Sequence, residues 1–432
     1  MTNFQLVFTG IFIAFIVLGV IAFSFFTTRG SSVGEVHIWG TVDQNTMQKI
    51  VQELMLGDKD FQNVVYTQKS PDTYSTEVIN AMARGSGPDI ILLSQDQIQA
   101  FADKVSTIPY SVVSQSSIVS SYVGEAQLFL NSQGSFALPF LINPLVMYWN
   151  RDLFGTAGLA QAPQYWDSFL TTAQKLTVLD ASSNIKKSAI ALGGWGNITY
   201  AKAIISTLVM QAGDPIISYN ADGTQVAALG TTPQNATENP AASALQFYTE
   251  FANPSKVTYS WNRSLPNSFD AFVAGDVAVY IGFASDYWAI AARNPNLRFG
   301  VATVPQIQGS SAHVTFGQMT GLAIPRTATN VQGALVIAQK LSSQVGVATA
   351  AQVTGLPPVR LDVVQDTNAN AAVSVFNQSA LIARAWLDPN TTATDAIFKT
   401  MIESIVSNKA LPSAAVEDAM HSLQALIGQN SQ

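Results

Sequence analysis

Gly85-Ser86-Gly87-Pro88-Asp89-Ile90-Ile91-Leu92-Leu93 is the stretch that decides the fold class. Glycine and proline at its front stop a helix, because glycine frees the backbone and proline lacks the amide donor that a helix needs. The run behind them is almost wholly apolar, which suits a strand covered on both faces, as in a parallel sheet. Toward the N terminus, Tyr74, Val78, Ile79 and Met82 recur at helical spacing behind Ser70-Pro71-Asp72, an opening signal. Earlier still, residues 61–67 read as a strand. Residues 43–56 read as a helix with Met47, Ile50, Val51, Leu54 and Met55 on one side, and residues 35–39 as a short strand. The order β-α-β-α-β begins a doubly wound α/β fold.

The alternation continues down the chain. The pattern predicts helices over 165–176, 199–211, 239–251, 267–274, 286–292, 330–341 and 394–406. It predicts short strands over 277–281, 299–303 and 321–324, with loops rich in Gly, Asn and Pro at 220–240 and 356–358. No internal repeat or low-complexity tract interrupts it. At 432 residues the chain is long enough for two or three lobes of ordinary size, and 48% hydrophobic content excludes wholesale disorder.

Charge narrows the partners. Lys plus Arg number 21 against 28 Asp plus Glu, a net charge of −7, and no basic cluster occurs, which argues against nucleic acid. Charged residues make up only 11%, so Ser, Thr, Asn and Gln carry much of the surface. The chain has no cysteine, which removes disulfides, thiolate catalysis, Cys zinc sites and lipidation on Cys.

Residues 4–26 carry no charge and are dense in Phe, Ile, Val and Leu. As a helix this stretch spans a hydrocarbon core of roughly 30 Å. A cleaved signal has a shorter apolar stretch ending in small residues, and Phe23, Phe25 and Phe26 crowd that position. The reading is therefore an uncleaved transmembrane anchor, with Arg29 to Gly34 as linker and the remainder as one soluble body tethered at one end.

In open α/β sheets, ligands sit at the carboxyl ends of strands. Those ends supply Trp39, Gly40, Thr41 and Asp43; Gln68, Lys69 and Ser70; and Ser94, Gln95 and Asp96. One indole face with hydroxyls, amides and carboxylates suits a polar, uncharged, ring-bearing ligand. Asp43 and Asp72 serve equally as helix N-caps, and Asp96 can cap a helix beginning near Gln97. Gly85 to Pro88 is a turn and no phosphate loop, since it leaves a helix and enters a strand. His37, His313 and His421 are far apart, none lies in an HExxH, and no GxSxG elbow occurs. No metal, cofactor or catalytic residue is predicted.

A longer motif then carries a resemblance. Leu138-Pro139-Phe140-Leu141-Ile142-Asn143-Pro144-Leu145-Val146-Met147-Tyr148-Trp149-Asn150-Arg151-Asp152-Leu153-Phe154 continues to Gly158-Leu159, Ala162-Pro163 and Trp166. It resembles the extracellular solute-binding proteins of ABC importers, the maltose-binding-like family 1. Gly87-Pro88-Asp89-Ile90, Phe272-Val273-Ala274-Gly275-Asp276-Val277-Ala278-Val279, Gly321-Leu322-Ala323-Ile324 and Gly355-Leu356-Pro357-Pro358-Val359-Arg360 agree with that family in order. The similarity runs over roughly residues 34–410.

The resemblance implies a two-lobed periplasmic-binding-protein-like fold of type II, each lobe a sheet flanked by helices, with a hinge of crossing segments. Residues 1–33 would be anchor and linker. Lobe one would take 34–141 and 305–352, and lobe two 142–304 and 353–432. A monomeric binder, not an enzyme, would trap a small solute, expected to be a mono- or oligosaccharide, and hand it to the permease of an ABC importer. The alternatives are an anchored sensing or adhesive ectodomain of the same fold, or a binder of a non-sugar solute. Position by position it implies ligand contacts from Asp96, seven beyond Asp89, and Asn143, seven before Asn150. It adds Trp195, Phe283, Asp286, Tyr287, Gln318 and Met319, joining Trp39, Thr41 and Ser70 from the strand ends. Trp149, Trp166 and Trp288 are read as core.

Overall fold

The computed structural model describes residues 33–220, 224–231, 239–310, 312–364 and 370–430. The expected anchor over 4–26 lies outside the described residues. Among the described residues no helix is long and apolar enough to cross a membrane. The chain divides into two compact units: one takes the chain up to Ile90 with Thr327–Ile337, the other Ile91–Arg326 with Ala338–Gln432.

In the first unit, strands Val36–Gly40 and Val64–Gln68 pair in parallel, Val36 opposite Val64. Helix Gln44–Gly57 buries Met47, Ile50, Val51 and Leu54, the stripe its spacing predicts, and Asp43 caps it by accepting from the Thr46 amide at 2.9 Å. The strand expected from residue 61 starts later. Lys59–Asn63 forms a 3₁₀ turn that buries Phe61, so an apolar residue that reads as strand belongs to a turn. The next helix is Tyr74–Ala83, and Thr73 occupies its N-cap, so Asp72 is not the cap.

One carboxylate organises this unit. Asp89 accepts from the His37 amide at 3.0 Å, from the Thr329 amide and hydroxyl at 3.1 Å each, and from the Asn330 amide at 2.9 Å. Asn330 in turn donates to the carbonyls of Val33 and Glu35. The Asp of the Gly-Pro-Asp motif thus staples two distant segments, which satisfies four donors at once.

The second unit is built on a long strand, Leu138–Asn150, of 13 residues. Leu138 to Pro144 pairs antiparallel with strand Thr315–Pro325, which also pairs antiparallel with Ile90–Ser94. From Leu145 onward the long strand pairs with Val277–Phe283 and Phe299–Ala302. Val277–Phe283 runs parallel to Ile185–Ile190. The partner change falls at Pro144, which has no amide to donate but whose carbonyl accepts from the Ala284 amide at 2.9 Å.

Tyr148, Phe272, Tyr280 and Phe299 fill the core behind this strand, with Tyr148 and Tyr280 stacked at 5.9 Å. Seven predicted helices form close to their expected bounds: Trp166–Leu176, Ala201–Gln211, Pro240–Glu250, Ser268–Val273, Asp286–Arg293, Val331–Leu341 and Thr391–Val406. Helices Gln344–Thr354, Ala371–Leu381 and Pro412–Asn430 lie beyond the predicted set. Trp166 is core, but Trp288 is 51% exposed. Helix Asp286–Arg293 buries only Asp286 and Ile290, and Trp288, two positions from each, falls on the other side.

Candidate functional site

In the first unit, Trp39 ends its strand half-buried, while Thr41 and Ser70 are exposed. The Lys69 ammonium lies 3.9 Å from the centre of the Trp39 ring and pairs with Glu77 at 3.2 Å. Tyr74 donates to the Trp39 carbonyl at 3.0 Å. The indole is therefore held in place, with a cation over one face.

In the second unit, most of the remaining candidates gather where the long strand changes partners. Asn143 exchanges two hydrogen bonds with Ser285: its amide donates to Ser285 Oγ at 2.9 Å, and its oxygen accepts from the Ser285 backbone at 3.0 Å. The register sets Gln318 opposite Asn143. Gln318 is exposed and Met319 fully buried, as strand alternation requires, so the core holds Met319 and the surface holds Gln318. Buried Gln95 pins this segment by accepting from the Met319 amide at 2.9 Å.

Phe283 is buried at the end of its strand, edge-on to Tyr200 at 4.6 Å. Tyr148 donates to the Phe283 carbonyl at 2.7 Å. Asp286 is buried and accepts from Tyr280 at 2.8 Å and Tyr200 at 3.1 Å. Burial raises its carboxyl above the ordinary range, and the two phenols oppose that shift by stabilising the ionised form. Tyr200 holds left-handed backbone, φ 62°, at the start of helix Ala201–Gln211, which brings its ring to both Phe283 and Asp286. Tyr287 packs edge-on against Trp288 and Phe376.

Asp96 lies in a 3₁₀ turn, Gln95–Gln97, which Ser94 caps through a capping box with Gln97. Asp96 is thus not the cap; its carboxylate accepts from the Ser94 hydroxyl instead. Thr391 donates to the Asp96 carbonyl at 3.4 Å. Beside it stands a cluster that the sequence reading missed. Lys202 reaches Asp388 at 2.6 Å, Thr394 at 2.7 Å and Asp395 at 2.9 Å. The Asp96 charge helps to raise the Asp388 carboxyl, after burial, the largest cause. No motif announces this cluster, because Lys202 and Asp388 stand 186 positions apart.

Trp195 is elsewhere. It lines a pocket of about 980 Å³ with residues 194–197, Tyr259, Arg263 and the end of helix Thr391–Val406, and none of the other predicted site residues lines it. Among the described residues no group of three or more His, Asp or Glu could hold a metal ion.

These strands, helices and polar strand ends define an α/β fold of the periplasmic-binding-protein type. Three solved structures share it. A cyclic α-maltosyl-1,6-maltose-binding protein from Arthrobacter globiformis is 16% identical, with 91% of this chain and 99% of that chain covered and a TM-score of 0.73. A cyclo/maltodextrin-binding protein in complex with maltotetraose is also 16% identical, covering 92% and 98%, TM-score 0.72. UgpB from Mycobacterium tuberculosis, in complex with glycerophosphocholine, is 18% identical, covering 92% and 100%, TM-score 0.71. Residues 56–377 match the model of the bacterial extracellular solute-binding proteins, and the chain belongs to that family. Curated protein sequences returned no match.

Proposed function

We propose that this protein captures a small polar solute, a mono- or oligosaccharide, outside the cytoplasm and delivers it to the permease of an ABC importer. The observation that carries the reading is the family match, over residues 56–377, of a chain whose strand ends bear amides, carboxylates and hydroxyls. Asn143, Gln318, Asp96 and the Lys202–Asp395 pair supply acceptors and donors for sugar hydroxyls, while Phe283, Asp286 and Tyr287 shape the wall behind them. Trp39, Thr41 and Ser70 remain candidate contacts on the first unit.

The lobes in this reading are 34–141 with 305–352 and 142–304 with 353–432. The partner change at Pro144 suits a hinge, since one strand belongs to two pairings. Ligand that touches both lobes would favour their closed form. Residues 4–26 would tether the body to the membrane, which N-terminal sequencing of the native protein tests by finding or missing residue 1.

Isothermal titration of the full chain against maltotetraose, maltose, monosaccharides, glycerophosphocholine and a short peptide tests the ligand class. Saccharide binding that falls at least tenfold in Asp96→Ala and Asn143→Ala is the expected result. Heat with the peptide or glycerophosphocholine alone removes the carbohydrate assignment. A deletion strain that still imports the bound sugar at the wild-type rate removes the transport role.

A further inference from the structure

The pocket at Trp195 is built. Gly193 holds φ +96°, and a Cβ there would stand 2.7 Å from Ala252 Cβ, so the loop 193–196 can lie this close only as glycine. Tyr248 donates to the Gly194 carbonyl at 2.7 Å. Asn197 donates to the carbonyls of Asn262 and Leu265 at 2.9 Å each and accepts from Trp261 Nε1 at 3.1 Å. The loop is thus pinned on both sides of Trp195, whose indole is only half-buried. Pinning lowers the entropy lost when a ligand settles against the ring.

The lining states a chemistry. An indole and the hydroxyl-bearing Tyr259 and Ser404 suit the apolar face and the hydroxyls of a sugar ring. Arg263 and Lys409 also line the pocket, against the single carboxylate of Glu403. Neither cation makes an ion pair among the described residues, although the chain as a whole carries −7. Two available cations beside a stacking surface favour a ligand that carries a carboxylate. A volume of about 980 Å³ is large enough for an oligosaccharide.

We infer that the Trp195 pocket is a second binding site, separate from the strand-end site, for a saccharide that bears an acidic group, such as a uronate. It goes beyond the proposed capture of a transported solute and does not depend on it.

Titration of the full chain with trigalacturonate and with a hyaluronan tetrasaccharide tests the inference. At least one should bind, with affinity falling about tenfold between 50 mM and 300 mM salt as the exposed cations are screened. Trp195→Ala and Arg263→Ala/Lys409→Ala should each weaken that binding at least tenfold, with an unchanged thermal midpoint. Asp96→Ala should leave it unchanged. No binding of either uronate overturns the inference, as does binding that Trp195→Ala leaves intact. Loss of uronate and neutral-sugar binding together in Trp195→Ala, at an unchanged thermal midpoint, also overturns it, because the pocket is then the principal site. Failure of neutral sugars alone counts against the proposed function and leaves this pocket standing.

Discussion

Two buried carboxylates, one in each unit, are treated in opposite ways. Asp89 in the first unit is 2% exposed and accepts four hydrogen bonds from His37, Thr329 and Asn330. Glu125 in the second unit is 1% exposed, and neither of its oxygens has a hydrogen-bond partner. Burial pushes the Glu125 carboxyl up to about 8, against a smaller opposing pull from the Arg384 charge. Among the described residues, Arg384 is the charged side chain that acts on it. The strands packed on it, Thr315–Pro325 and Leu138–Asn150, contain none. Equal burial thus gives unequal outcomes: donors turn one carboxylate into a staple, and their absence leaves the other neutral and sensitive to pH.

The contrast breaks most visibly at Asp89. Asp89→Ala leaves three part-buried backbone amides and the Thr329 hydroxyl without their acceptor and should cost about 3–4 kcal/mol, read as a shift of the urea midpoint. A cost below about 1 kcal/mol would show that water replaces the carboxylate and that no staple exists.

Glu125 should show the next effect, as a slope and not a single value. Its folded carboxyl titrates near 8, above the ordinary 4.5, so between these values the folded chain holds more protons than the unfolded one. Its contribution is therefore full below about pH 4.5 and is lost as pH rises from there through 8, with a slope of about 1.4 kcal/mol per pH unit. Glu125→Gln should flatten that part of the stability profile. An unchanged profile would place Glu125 in contact with solvent.

Gly317 sharpens the same point. A Cβ there would collide with the Glu125 carboxylate and stand 3.0 Å from Ala383 Cβ. Gly317→Ala should cost about 2–3 kcal/mol, and Glu125→Ala in the same chain should recover part of it. The smallest expected effect is Thr329→Val, about 1 kcal/mol, because it removes one donor of the four on Asp89. If its cost equals that of Asp89→Ala, the hydroxyl alone carries the staple.

The elements that periodicity governs were legible. Met47, Ile50, Val51 and Leu54 recur at helical spacing and are the buried face of their helix. Asp43 caps it because the cap and its amide lie three residues apart. Misreadings arose where one local signal served two structures. Phe61 is apolar in a turn, and Ser94 takes the cap that Asp96 could have taken. Met319 and Gln318 are adjacent in sequence, yet only the pairing of their strand sends one to the core and the other to the surface. The Lys202–Asp388–Asp395 cluster and the Trp195 pocket carry no motif, since their residues come from segments far apart.

By itself the sequence determined the alternation of strands and helices, most helix stripes and caps, and the motifs of the solute-binding family. Each of these depends on contacts within a few residues or on short ordered patterns. Only the tertiary structure decided which carboxylates are satisfied, which aromatic residues face solvent, and which polar groups meet. Hydrogen bonding and desolvation act across space, and Asp89 meets its partner Thr329 from 240 positions away.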